Sequence, residues 1–186
     1  MTRYWYLVAS LPALVKGAPP PLDARRFRTL CSEHLLPADL AELDAVLAGA
    51  GTSAFARAWR DADVQIRNAI ARARAARHGV DAERFVRSTD ALDLALARRV
   101  QDALGAADPG ECERALDELR REILHELARP EPFAVSVLLA YGLELAIAAR
   151  QHARDAERGR VALASLVDGL VASSETASSS VTVPQP

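Results

Sequence analysis

Aromatic residues are scarce in this sequence, at 5% of 186 residues. Few β-branched residues make up the difference. Sheets draw on both classes to cover a pleated surface, so the composition argues against strands. Cysteine is nearly absent too, with only Cys31 and Cys112. Two distant cysteines exclude a disulfide framework and read as small buried hydrophobes in a reducing compartment. No uncharged apolar run reaches the roughly 18 residues that a membrane-spanning helix needs. An excess of one charge is missing as well. The net charge is −2 with 26% charged residues, which offers no global attraction to nucleic acid or an anionic membrane. Lys16 is the only lysine. The remaining basic groups are arginine, which reads as a coding preference before it reads as a demand for guanidinium chemistry.

Half of the residues are hydrophobic, and many of those are alanine, the strongest helix former. The pattern predicts an all-α protein, a mostly antiparallel bundle of six to seven helices. A chain of this size buries roughly 70% of its unfolded surface, enough for a real core. Residues 1–172 read as one helical domain. Residues 173–186 are small, polar and rich in Ser and Thr, and are expected to be disordered.

Arg3 followed by the apolar run from Tyr4 to Val15 has the outline of a signal peptide. The aromatics Tyr4, Trp5 and Tyr6, the interruption at Lys16 and the lack of a small-x-small cleavage site favour a structural first segment instead. Its periodicity does not decide between helix and strand. Pro19 to Pro21 form a stiff linker. Asp23 is placed to cap a helix running to about Leu35, with Phe27, Leu30, Cys31, His34 and Leu35 on one face. Pro37 opens a second helix, which carries Leu40, Leu43 and Leu47 and stops at Gly49 or Gly51. Ser53 caps a long helix to His78, with Gly79 behind it. A turn over residues 82–87 leads to a cap at Thr89 or Asp90 and a helix through Leu104. Asp108-Pro109-Gly110 starts the next helix, whose apolar face holds Ala115, Leu116, Leu119, Ile123 and Leu127. Pro130 and Pro132 end it. The run from Phe133 to Ala149 holds one charge, Glu144, and is expected at the centre of the bundle. Charged residues 150–160 then lead out to solvent, with a break at Gly159. Leu163, Leu166, Val167, Leu170 and Val171 resume an amphipathic pattern.

Motifs for chemistry are thin. Cys31-Ser-Glu-His34 has a metal-ligand spacing, but a zinc site wants four ligands and no second pair follows. No His-Glu-x-x-His, Gly-x-Ser-x-Gly or phosphate loop occurs. We expect no catalytic site, no metal and no cofactor. Arg60, Arg67 and Arg74 recur every seven residues. With Asp61 and Asp63 beside them and no interleaved aromatics, they read as a solvated or salt-bridged face rather than a nucleic-acid stripe. Asp63 and Glu144 fall near or within apolar helix faces, where an unpaired carboxylate costs several kcal/mol, on the order of a lost ion pair. The expected solution is an internal polar network of Asp63, Arg67, Asn68, Arg74, Tyr141, Glu144 and Arg150 that sets helix register. General acid/base work by Asp63 and Glu144 is the rival reading.

Three segments taken together resemble a known family. The run Tyr4-Trp5-Tyr6-Leu7-Val8-Ala9-Ser10-Leu11-Pro12 is similar to the opening of a bacterial family encoded beside V-type ATPase subunits. Arg67-Asn68-Ala69 through Arg74, with Gly79-Val80-Asp81, resembles its second signature. Ala140-Tyr141, Glu144, Arg150 and Glu157-Arg158-Gly159 resemble its last helix. The likeness covers residues 4–170 by order and spacing. That family in turn resembles a shortened V-type ATPase C subunit, also called the d-type subunit, an all-helical, non-catalytic socket joining the central stalk to the membrane ring. The resemblance implies an adaptor or accessory subunit of a rotary ATPase or ATP synthase, within a proton-transport complex. It implies stalk and ring subunits as partners and a cytoplasmic position held on the membrane through them. The C subunit has three helical lobes, and this chain has length for one or two. Partial replacement, assembly work or a homo-oligomer would each accommodate that. A free-standing interaction module with another partner is the alternative. Nucleic acid and direct membrane insertion are not expected.

Overall fold

The computed structural model describes residues 4–89, 92–154, 159 and 165–167. Among these the backbone forms seven α-helices and one 3-10 turn, with no strand. The protein is an all-α helical bundle.

The first segment, ambiguous by periodicity, is helix α1 (Trp5–Ser10). Tertiary contacts hold it. The Tyr4 amide donates to the Phe133 carbonyl at 2.7 Å, and Leu7 is buried. Helix α2 (Ala24–His34) starts where expected, because the Asp23 carboxylate accepts from the Arg26 amide at 2.7 Å. Helix α3 (Pro37–Leu47) opens on its proline. It ends before Gly49, whose φ of +80° favours glycine.

Helix α4 (Ala54–His78) begins at the Ser53 cap and ends at Gly79 with a left-handed φ of +64°. A second cap was not evident from sequence. The Glu42 carboxylate accepts from the amides of Thr52 at 2.9 Å and Ser53 at 2.8 Å. Gly51 lets it in: a Cβ there would lie 2.8 Å from Glu42 Oε1 and 2.4 Å from Val46 Cγ2. So Gly49 stops the helix and Gly51 permits the close approach.

After α4 a 3-10 turn (Ala82–Phe85) leads to α5 (Leu94–Leu104). Here the structure corrects the expected start. Asp93, not Thr89, caps this helix, accepting from the Leu96 amide at 2.9 Å. Helices α6 (Pro109–Ala128) and α7 (Val135–Ala153) follow. The Asp90 cap, Glu157, Arg158 and the 173–186 tail lie outside the described residues. Of the expected segment at 163–171, only residues 165–167 are described, and they are helical.

Two apolar cores form. One joins α1, α2, α3 and α7 with the start of α4 and the end of α6, and Phe27, Leu43, Leu138 and Leu139 are fully enclosed in it. The other joins α4, α5 and α6 around Ile66, Val100 and Leu116. Trp59 and Leu127 pack against both. Helix α7 is buried on nearly all sides, as its composition predicts, and Gly142 sits where a Cβ would lie 2.9 Å from the Phe27 ring. His34, expected on the buried face of α2, is instead exposed and packs edge-on against Tyr6 at 5.9 Å.

Candidate functional site

The residue around which the polar contacts converge is one the sequence reading missed. Asp117 of α6 is 1% exposed. Its carboxylate accepts from Arg120 Nη1 at 3.0 Å, from Gln151 Nε2 at 3.1 Å and from Arg150 Nη2. Gln151 Oε1 in turn accepts from Arg121 at 2.7 Å. Arg120 also reaches Asp63 at 3.5 Å, and Asp63 pairs with Arg67 at 2.7 Å along α4. One chain of charges therefore crosses from α4 through α6 to α7. A buried carboxylate is tolerated only with such partners. Asp117 was readable in principle: it lies seven and eleven residues before Leu124 and Ala128, which are both buried.

The expected single network is divided. Asp63, Arg67 and Arg150 belong to the Asp117 chain. Glu144 does not. It is buried in α7 and accepts from His125 Nε2 at 2.9 Å, not from an arginine. Burial pushes its carboxyl above the ordinary value, and His125 pulls it part of the way back. Tyr141 donates to the Pro12 carbonyl at 2.9 Å, tying α7 to the segment after α1. Asn68, buried in α4, uses both ends of its amide on the backbone of Arg87, at 2.8 and 2.9 Å. Arg74 joins none of these. It lines an apolar groove of about 510 Å³ with Ile70, Val80 and Phe85.

Beside the Asp117 chain lies a second cavity of about 440 Å³. Arg60 and Arg67 of α4, Arg87, Arg120 of α6 and Arg150 of α7 line it, with Asp63. Trp59, Leu47, Leu143 and Ile147 supply its apolar wall. Arg60, Arg67 and Arg74 are exposed and Arg67 pairs with Asp63, as a solvated or salt-bridged face requires, and Arg60 and Arg67 also line this cavity. Asp63 faces this cavity and Glu144 does not, so the two acids of the rival catalytic reading do not share a site. Among the described residues no three His, Cys, Asp or Glu side chains group as metal ligands. Cys31 is fully enclosed, and burial, with Asp44 nearby, pushes its thiol up to about 12.

The last surface feature is aromatic. Trp5 and Tyr6 are each 64% exposed on α1, in edge contact at 6.3 Å. Leu36 and Phe133, also exposed, border the buried Tyr4 through its contacts: the Leu36 amide donates to the Tyr4 hydroxyl at 3.3 Å, and the Phe133 carbonyl accepts from the Tyr4 amide. No described helix is long and apolar enough to cross a membrane. No family model matches this chain, and no curated protein or solved structure matches it either.

Proposed function

We propose that this protein is a non-catalytic helical adaptor or accessory subunit of a V-type rotary ATPase or ATP synthase. It would bind stalk and ring subunits and sit peripheral to the membrane on the cytoplasmic side. The ordered likeness of the Tyr4–Pro12, Arg67–Asp81 and Ala140–Arg150 segments to the C-subunit-related family motivates the identity of the partner. The exposed Trp5 and Tyr6 carry the docking part of the reading. Exposed aromatics held on an anchored helix are the kind of side chain that contributes most to protein interfaces. Other contacts fit an adaptor built for rigidity. Tyr141 to Pro12 and Tyr4 to Phe133 lock α1 onto α7, so the aromatic pair is presented by a fixed surface.

The test is a pull-down from native membranes with the wild-type chain and with a Trp5→Ala/Tyr6→Ala double variant. Stalk and ring subunits should co-elute in fixed proportion with the wild type. The double variant should recover them roughly a hundredfold less well, as expected for losing two aromatic anchors. Recovery of an unrelated partner through the same residues would make the chain a free-standing interaction module. Recovery of no ATPase subunit from membranes holding intact ATPase would end the proposal.

A further inference from the structure

The arginine-lined cavity has a charge that the rest of the molecule lacks. Five guanidinium groups line it, against the carboxylates of Asp63 on the wall and Asp117 behind it. That leaves a net charge of +3 within a protein whose total is −2. The arginines are not a helix stripe that happens to be exposed. They come from α4, the segment after the 3-10 turn, α6 and α7, and the fold brings them to one place.

Three of the five are held in position. Arg120 is clasped by Asp63 and Asp117, Arg150 by Asp117, and Arg67 by Asp63. Arg87 is delivered differently. The Asn68 amide pins its backbone on both sides, leaving its guanidinium to the cavity. The side chains of Arg60 and Arg87 make no ion pair or hydrogen bond among the described residues. Gathering like charges without compensation costs stability, and that cost is relieved when an anion binds the folded state.

We infer that this cavity binds a small soluble organic phosphate. Guanidinium forks match phosphate oxygens in pairs, which distinguishes this ligand from a simple halide. The size fits a small molecule, since about 440 Å³ falls within the range of ligand pockets. The apolar wall of Trp59, Leu47, Leu143 and Ile147 requires an organic body on the ligand, which bare phosphate does not have. This site is separate from the aromatic surface on α1 and stands or falls without the adaptor reading.

Calorimetric titration of the full chain at fixed ionic strength tests it, using phenyl phosphate, inorganic phosphate and hexaglutamate as probes. Phenyl phosphate should bind saturably at one site, more tightly than inorganic phosphate, and raise the melting temperature. Arg60→Gln and Arg87→Gln should each weaken it roughly tenfold, the worth of one charge-assisted hydrogen bond. Both replaced side chains are exposed, so the far-UV circular dichroism should stay that of the wild type. Arg25→Gln, on the exposed surface of α2, should change nothing. Absence of saturable phenyl phosphate binding would overturn the inference. So would equal losses in the Arg25 control, tighter binding of hexaglutamate, or, in co-sedimentation with phosphatidic acid vesicles, binding that phenyl phosphate does not displace.

Discussion

Two glutamates show how position alone sets the behaviour of one residue type. Burial pushes Glu144 above its ordinary value, despite His125. Burial also acts upward on Glu42, but the amides and side chains of Ser53 and Thr52 outweigh it and hold that carboxyl low. The signs of the pH effects are therefore opposite. A carboxyl raised in the folded state favours folding in acid and loses that contribution as pH rises through its folded value. A lowered one contributes above its unfolded value and loses the contribution as pH falls through its folded value. From about pH 4 to pH 7, the stability of Glu144→Gln should rise relative to wild type. The stability of Glu42→Gln should fall relative to wild type as pH climbs from about 3 to 5. Urea titrations across this range measure both, and slopes of the same sign would refute the assignment. The resemblance and the apolar run from Phe133 to Ala149 both singled out Glu144, but neither could supply His125. The partner depends on how α6 is rotated against α7.

At the scale of the element, helix starts and stops were legible because their chemistry is local. Asp23, Ser53 and Asp108 accept from the first-turn amides as their positions predict, and Pro37 and Pro109 open their helices. Asp93 was missed in favour of Thr89 or Asp90 because the sequence there offers several cap-forming residues in succession. Only the packing of Leu96 and Val100 into the second core selects the start at Leu94. Gly142 gives the element-scale prediction. Alanine should favour a helix interior by about 1 kcal/mol over glycine. At this position its Cβ would meet Phe27 at 2.9 Å and Leu47 at 3.2 Å, and Phe27 is fully enclosed. Overpacking costs roughly 1–3 kcal/mol, so Gly142→Ala should lose about 1 kcal/mol on balance. A denaturation curve showing stabilisation would mean that α7 can move away from α2 and α3.

Across the whole molecule, Asp117 is the polar link between the two cores, which also share Trp59 and Leu127. It sits on α6 beside Leu116 and Leu119 of the second core and bonds two residues of α7, the central helix of the first. Asp117→Asn keeps the shape and removes the charge that Arg120 and Arg150 face. Breaking one side of a buried ion pair costs about 3 kcal/mol. We expect that loss, measured by urea denaturation. The triple variant Asp117→Leu/Arg120→Met/Arg150→Met should recover part of it, since apolar replacement of a buried ion cluster is often neutral, while Asp63 and Gln151 each lose a partner. A loss under about 1 kcal/mol in the single variant would mean that apolar packing, through Trp59, Leu127 and the shared helices α4 and α6, holds the cores together without the Asp117 cluster.

The sequence by itself determined the class of fold, most helix boundaries and the burial of α7, because propensity, capping and 3.6-residue periodicity act over a few neighbouring residues. It also determined that Asp63 and Glu144 needed partners, because the cost of burying charge does not depend on the fold. Which partners they found was a tertiary decision. Arg120 and His125 reach those acids only once α6 is seated between α4 and α7, and Arg87 reaches the cavity only because Asn68 holds its backbone. Arg60 and Arg67 share a seven-residue spacing, but Arg87, Arg120 and Arg150 look unrelated to them along the chain, and only the relative rotation of the helices makes the five one site.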